Sequence, residues 1–230
     1  MRLANPIYDI VFQEINMEEK RVVYTVGHSN HTIDYFLELL QSQHIDCLID
    51  VRSMPASKYN PQFNQVPLSN FLKNKGITYL HFKEEFGARQ EEEKILDECG
   101  QVDFELFKKT FNFQQGIERV DIGVSKGLKI ALMCSEGNPL ECHRFSMIAI
   151  NLEEIGFEVR HILKDKSVKT HQQLEVALLK KYSKKLPTPS LFEPTITEES
   201  KLKEAYRLHN KDIGWIVEKR QQQDITHYYD

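Results

Sequence analysis

The stretch ALMCSEGNPLECHRFSMIAINLEEIGFEVRHI, residues 131–162, carries the pattern that decides the fold. It opens with apolar residues typical of a buried strand. Apolar residues at helical spacing follow over 142–155, and EVRHI at the end of the stretch favours a second strand. Two cysteines, two glutamates, a histidine and an arginine lie over residues 134–144, where the first strand gives way to the helix. The segment therefore predicts a β-α-β unit with reactive side chains at its first junction.

The same alternation of strand and helix begins near residue 22. RVVYTVGHSN, IDCLIDVRS and ITYLHF have the apolar and β-branched character of strands, and helical patterns follow each of them. Continuous apolar runs such as CLID are typical of strands buried on both faces of a parallel sheet. These patterns predict an α/β fold with a mainly parallel central sheet of about five strands and helices on both faces.

Composition changes along the chain predict four segments. These are a polar leader over 1–21, the α/β domain over 22–163, a helix and proline-containing linker over 164–194, and a helical C-terminal appendage over 195–230. Hydrophobic residues make up 40% of the chain, which supports a real core.

The net charge and the lack of targeting signals limit which partners and which cellular location we expect for this protein. The net charge of −4 argues against a generally basic nucleic-acid binder. No apolar run approaches the length of a membrane span, and the first 20 residues lack a signal-peptide core, so we expect a cytoplasmic protein without a membrane partner. In that compartment the four cysteines are expected to be reduced thiols or metal ligands.

Polar side chains follow the ends of four predicted strands. They are His28, Ser29 and Asn30 after the first, Asp50 and Arg52 after the second, His81 with the loop to Arg89 after the third, and the residues from Cys134 to Arg144 after the fourth. In an open parallel sheet, ligands bind beyond the carboxyl ends of the strands. The four groups therefore predict a single site at one rim.

The segment Cys142-His143-Arg144 is open to two interpretations. A thiol at a helix N-terminus beside a cation is favoured as a thiolate, and an arginine there can clamp an anion. Alternatively, Cys142 is a small buried apolar residue and Arg144 pairs with Glu136 or Asp50. Cys134 ends a strand, where it is either core filler or a nucleophile.

The other rim residues also allow alternatives. Asp50 and Arg52 suit a base and an anion clamp, or a buried ion pair that holds loops together. His28, Cys134, Cys142 and His143 form a zinc-ligand set by residue type, although the spacing of the cysteines is not that of a zinc knuckle.

Several blocks together resemble one protein family. YTVGHSNHT, IDVRSMPASKYNPQFN, YLHFKEEFGAR and CSEGNPLECHRFSMIA are similar, in order, to the family called domain of unknown function 488, over about residues 22–163. Ala88 replaces the second of two glycines that usually precede the family arginine matched by Arg89. A weaker similarity to rhodanese-like domains implies that Cys134 is a nucleophile. In those domains serine and arginine close the loop after the cysteine and make it positive, whereas this chain has the acidic residues Glu136 and Glu141 there. The resemblance implies these signature positions: His28, Ser29, Asn30, Asp50, Arg52, Pro61, Gln62, Phe63, Asn64, Gly87, Arg89, Cys134, Glu136, Cys142, His143 and Arg144.

These observations predict an enzyme, a thiol-dependent transferase or hydrolase, acting on an anionic nucleotide-like or phosphorylated small molecule. The alternatives are a metal-binding domain that uses Cys134, Cys142 and histidines, and a non-enzymatic nucleotide or nucleic-acid module that uses the loop KYNPQFNQ. The sequence does not indicate which cofactor, if any, the protein uses. The candidate catalytic residues are Cys142, Cys134, His143, His28, Asp50 and Glu136, and the candidate substrate-binding residues are Ser29, Asn30, Arg52, Asn64, Arg89 and Arg144.

Overall fold

A computed structural model describes residues 20–188 and 195–217. The predicted leader lies almost wholly outside these residues, as do part of the predicted linker and the last residues of the predicted appendage.

Six strands form one sheet in the order β3-β2-β4-β1-β5-β6. The first five are parallel and β6 is antiparallel to β5, so the predicted mainly parallel sheet is confirmed. The sequence did not indicate β6, a three-residue strand beyond residue 163. The strands are β1 (Val22–Gly27), β2 (Cys47–Asp50), β3 (Thr78–His81), β4 (Ile130–Cys134), β5 (Glu158–Ile162) and β6 (Val168–Thr170).

Helices cover both faces of the sheet, as predicted. On one face α1 and α2 bury residues such as Phe36 and Leu72, and on the other α5 and the segment after β4 bury Phe113 and Met147. The α-helices are α1 (Ile33–Gln41), α2 (Gln65–Lys73), α3 (Lys83–Phe86), α4 (Phe104–Phe107), α5 (Phe111–Ser125), α6 (Ile150–Glu154), α7 (His171–Tyr182) and α8 (Glu198–Ile213).

Two predicted helices are interrupted. The pattern over 103–127 predicts one helix, but Thr110 caps a new helix, so α4 and α5 are separate. The same pattern predicts that Phe104, Phe107, Phe111 and Ile117 face inward, but Phe111 lies in the first turn of the new helix and is 74% exposed. The helix predicted over 142–155 is a π-helix, Arg144–Ala149, followed by α6. Wide π turns of this kind are frequent at functional sites.

The C-terminal helices pack on the sheet through a chain of buried hydrogen bonds. Thr25 Oγ1 lies 2.8 Å from His161 Nδ1, and His161 Nε2 lies 3.2 Å from His171 Nδ1. His171 Nε2 lies 2.8 Å from the Tyr206 hydroxyl of α8. The backbone carbonyl of Trp215 also accepts a bond from Val102 N at 2.9 Å. Helix α8 is therefore tied to the sheet by polar contacts as well as apolar ones.

Within the two described ranges, no helix combines the length and apolar character needed to cross a membrane.

Candidate functional site

The carboxyl ends of the parallel strands meet at one rim, and the polar groups predicted from the sequence stand there. The backbone N–H of His28, just after β1, donates to Cys134 O at 3.0 Å. The N–H of Val51, just after β2, donates to Met133 O at 2.9 Å. These bonds hold the ends of β1, β2 and β4 side by side.

Close backbone contact fixes the loop after β4. A Cβ atom on Gly27 would lie 1.9 Å from the carbonyl oxygen of Glu136, so only glycine allows the loop to rest on the end of β1. Ser29 N donates to Ser135 O at 2.9 Å in the same contact. Glu136 is therefore held between the ends of the two strands.

Asp50 and Arg52 form a buried, two-point ion pair. Arg52 Nε donates to Asp50 Oδ1 at 2.9 Å, and Arg52 Nη2 donates to Oδ2 at 2.5 Å. Arg52 Nη2 also donates to Phe63 O at 2.8 Å, and the Tyr79 hydroxyl donates to Asp50 Oδ2 at 2.6 Å. Both charges are compensated inside this network, as a buried ion pair requires.

His28 completes the ion-pair network in a neutral form. Arg52 Nη1 lies 3.1 Å from His28 Nε2, and His28 Nδ1 lies 2.7 Å from Ser29 O. A ring that donates from Nδ1 to the carbonyl and accepts at Nε2 satisfies both contacts. Burial and the charge of Arg52 lower the pKa of His28 to about 4. The ring also stacks on Phe63, with centroids 4.4 Å apart.

A second cluster brings two thiols and an imidazole together. His143 Nδ1 lies 3.7 Å from Cys142 Sγ and 3.9 Å from Cys134 Sγ. The three ligand atoms all lie within 4.8 Å of one another. His143 Nε2 lies 3.3 Å from Val51 O, so this nitrogen carries the proton and Nδ1 is free to face the sulfurs.

The two thiols differ in how readily each loses its proton. The hydrogen bond to Cys142 and burial raise the pKa of Cys134 well above its usual value. Burial opposes ionisation of Cys142, but the hydrogen bond from Cys134 and the charge of Arg144 outweigh burial and bring its pKa well below the usual value. Burial by itself lowers the pKa of His143, but the charge of Cys142 and its hydrogen bond act the other way, and the net effect is a raised pKa.

Two charged groups beside the thiols lack full hydrogen bonding. Arg144 is fully buried and donates from Nη2 to Gly137 O at 3.3 Å, while its Nε and Nη1 have no partner among the described residues. Glu136 Oε2 is buried and equally without a partner there. Burial, and then the charge of Cys142, raise the pKa of Glu136. Unsatisfied buried groups cost stability, so their presence calls for an explanation.

A concavity of about 280 Å³ opens at the rim beside His28 and Arg52 of the ion-pair network and beside Ser135 and Glu136 of the loop after β4. Most of the side chains that line it are polar and uncharged, and Glu136 and Arg52 are the charged ones. Its lining residues are His28, Ser29, Asn30, Arg52, Met54, Ala56, Ser57, Asn60, Ser135 and Glu136.

Comparison with known proteins agrees with the resemblance seen in the sequence. The family described as Domain of unknown function DUF488 matches residues 32–149, just over half of the 230 residues. The chain belongs to this family. The DUF488 match includes Asp50, Arg52 and the segment from Cys134 to Arg144, and it begins after His28. Neither the search of curated proteins nor the search of solved structures found a match.

Some predicted residues of this DUF488 chain lie away from the concavity. Asn64 does not line it, and its Oδ1 accepts a bond from Ser57 N at 2.6 Å within the loop. Arg89 is exposed on a different loop, where its backbone N–H donates to Ser53 Oγ at 2.8 Å. Arg144 is fully buried. Of the three predicted anion-binding arginines, only Arg52 lines the concavity, and Asp50 neutralises it.

The structure also adds residues that sequence reasoning missed. Tyr79 reaches Asp50 from β3, Val51 orients His143 through its carbonyl, and Ser57 lines the concavity. Asn60 also lines the concavity, and it belongs to the loop KYNPQFNQ of the nucleotide-binding alternative. The position of Tyr79, two residues before the strand end at His81, was the only signal for its role. A backbone carbonyl such as that of Val51 leaves no signal in a sequence.

Proposed function

We propose that this protein binds one thiophilic divalent cation, zinc in the first place, through Cys134, Cys142 and His143. The observation that carries this proposal is the triangle of two sulfurs and one ring nitrogen with all three atoms within 4.8 Å of one another. Two cysteines and a histidine are ligands that zinc prefers in proteins.

The dimensions of the triangle suit a tetrahedral ion. With Zn–S near 2.3 Å and Zn–N near 2.0–2.1 Å, neighbouring ligand atoms in a tetrahedron lie about 3.5–3.8 Å apart. The two sulfur–nitrogen distances in the structure are 3.7 and 3.9 Å. His143 Nδ1 is almost equidistant from both sulfurs, which is the arrangement of a shared ligand sphere and not of one Cys–His pair.

The surrounding hydrogen bonds support the same function. Metal-bound histidines usually donate their second ring N–H to a carbonyl or carboxylate, which fixes the tautomer. His143 Nε2 has such a partner in Val51 O at 3.3 Å. The backbone N–H of Arg144 donates to Cys142 Sγ at 3.5 Å, a contact that favours a thiolate ligand. The cytoplasmic location expected from the sequence suits the proposal, because thiols stay reduced in that compartment.

Elemental analysis tests this proposal directly. The full chain, purified without a tag or chelator and reconstituted under reducing conditions, is expected to hold one zinc per chain. Cys142→Ser and Cys134→Ser are each expected to abolish stoichiometric binding, while Cys99→Ser, at the exposed cysteine, leaves it unchanged. Less than stoichiometric zinc in the unsubstituted chain would overturn the proposal.

A thiol-dependent enzyme is the second candidate, and one arrangement favours it. Cys142 Sγ lies 3.7 Å from His143 Nδ1 and beside the buried Arg144, as in an activated cysteine. The weaker rhodanese-like similarity instead puts the nucleophile at Cys134, with an anionic small molecule as substrate. Against both, the two thiols are buried and neither lines the concavity.

Iodoacetamide labelling of the metal-free protein decides the second candidate. The thiol-dependent enzyme requires Cys142, in a variant that retains it as the sole cysteine, to react faster than Cys99 in the matched single-cysteine variant at neutral pH. Equal or slower reaction of Cys142 would remove this candidate.

A further inference from the structure

Three protein ligands leave one corner of a tetrahedral metal site open. Structural zinc sites are closed by four protein ligands, whereas catalytic zinc sites have three and keep the fourth position for water or substrate. Within the described ranges, Cys134, Cys142 and His143 form the only cluster of this type, and no fourth cysteine, histidine or carboxylate meets the same distance limit. The ligand count thus resembles that of a catalytic centre.

Glu136 lies between this cluster and the concavity. Its side chain lines the concavity, and its carboxylate neighbours the thiols of Cys134 and Cys142. Oε2 is buried and finds no hydrogen-bond partner in the part of the chain that the structure describes. Contact of its backbone with Gly27 holds the residue in this position. A buried carboxylate oxygen without a donor is suited to receive one from a bound molecule.

The concavity itself indicates which molecules fit. The positive charge of Arg52 is neutralised by Asp50, so the described residues that line the concavity include no free cation with which to bind a phosphate or carboxylate. The hydroxyls and amides of Asn30, Ser57 and Asn60 provide neutral donors and acceptors instead. This lining favours a small, polar, uncharged molecule over the anionic one expected from the sequence.

We infer that the proposed metal is catalytic, with a fourth position that opens to the concavity and holds a water next to Glu136. This inference rests on the proposed metal binding. The reaction class is hydrolysis of a small, neutral carbonyl compound. The water gives one proton to a Glu136 oxygen and the resulting hydroxide forms a C–O bond to the carbonyl carbon. The bond to the leaving group then breaks, the leaving group takes that proton, and no oxidant or reductant is involved.

Cobalt(II) in place of zinc provides a readout that does not depend on an unknown substrate. The full chain reconstituted with cobalt(II) is expected to show a sulfur-to-cobalt charge-transfer band and the d–d bands of a four-coordinate ion. Azide, a small ligand for an open position, should change the d–d bands in a saturable way. The carboxylate of Glu136 repels azide, so Glu136→Gln is expected to bind azide more tightly, by on the order of tenfold.

Glu141→Gln is the matched control, because Glu141 is an exposed carboxylate in the same loop that does not line the concavity. Its azide affinity should equal that of the unsubstituted chain. If azide leaves the d–d bands unchanged and the Glu136→Gln substitution shifts them, Glu136 is a fourth metal ligand. That result would overturn the open site while leaving metal binding intact. Equal azide affinity in Glu136→Gln and the unsubstituted chain would remove the role of Glu136. Absence of the cobalt bands would overturn the proposed function itself.

Discussion

Two polar clusters share the rim of one sheet, and they differ in how far their hydrogen bonds are satisfied. In the ion-pair cluster of Asp50, Arg52 and His28, both carboxylate oxygens and all three guanidinium nitrogens have partners. In the thiol cluster of Cys134, Cys142 and His143, the neighbouring Arg144 and Glu136 keep polar atoms that are buried and unpaired among the residues described.

This difference suggests separate roles, with the ion-pair cluster supporting the fold and the thiol cluster suited to binding a ligand. A satisfied buried network holds loops in place, and removing one member leaves another charge stranded. An unsatisfied cluster costs stability, and such sites are retained where a bound group completes them. The same rim thus contains a rigid support in the ion-pair cluster and a site suited to a ligand in the thiol cluster.

The largest expected effect comes from breaking the ion-pair cluster. Arg52→Met leaves Asp50 buried without its cation and should lower the free energy of unfolding by about 3–5 kcal/mol. Arg144→Met, the matched change beside the thiols, strands no carboxylate and should change it by less than about 1 kcal/mol in the metal-free protein. Urea denaturation of both variants measures the contrast, and equal losses would contradict it.

Metal should stabilise only through the thiol cluster. Free zinc buffered at a hundred times its Kd is expected to raise the free energy of unfolding by about 2.7 kcal/mol. Cys142→Ser should lose this gain while unfolding like the metal-free parent, and Cys99→Ser should keep it. Thermal denaturation with and without zinc measures the effect. A gain that survives in Cys142→Ser would place the metal elsewhere.

Acid should weaken the ion-pair cluster through His28. Its pKa is 6.5 when unfolded and about 4 when folded, so the unfolded chain binds the extra proton between these values and stability falls as pH decreases. The loss due to His28 is about 2 kcal/mol by pH 5. His28→Gln should therefore lose about that much less than the unsubstituted chain between pH 7 and pH 5. Parallel pH profiles for the two proteins would contradict the assignment.

The smallest expected effect is the loss of one hydrogen bond at the edge of the ion-pair cluster. Tyr79→Phe removes the hydroxyl that donates to Asp50 Oδ2, while Arg52 still compensates the charge. We expect a loss of about 1.5 kcal/mol, at the low end for a bond to a charged group. Urea denaturation checks it, and a loss as large as that of Arg52→Met would show that the ion pair depends on the hydroxyl.

Much of the fold could be predicted because apolar periodicity reports burial directly. The runs VVYTV, CLID and IALMC lie in strands that the structure places side by side in the sheet. The break between α4 and α5 was missed because the cap at Thr110 lies within a continuous amphipathic pattern. Strand β6 was missed because three residues of Val-Lys-Thr carry too little periodicity.

The site could be predicted only as far as which residues gather at the rim. Strand ends placed Cys134, Asp50 and His28 together, since parallel strands end at one edge. Which charges are already paired depends on side-chain geometry, so the sequence could not show that Asp50 neutralises Arg52. Likewise, the group of Val51 that orients His143 is a backbone carbonyl. Every residue type has one, so the sequence could not indicate this contact.

X-ray absorption at the zinc edge tests the central claim most directly. For the reconstituted full chain, the account predicts two sulfur neighbours at about 2.3 Å and nitrogen or oxygen neighbours at about 2.0–2.1 Å. In Cys142→Ser the sulfur count should fall to one in whatever zinc remains bound. A zinc shell of nitrogen and oxygen alone in the unsubstituted chain would contradict the assignment of Cys134, Cys142 and His143 as a metal centre.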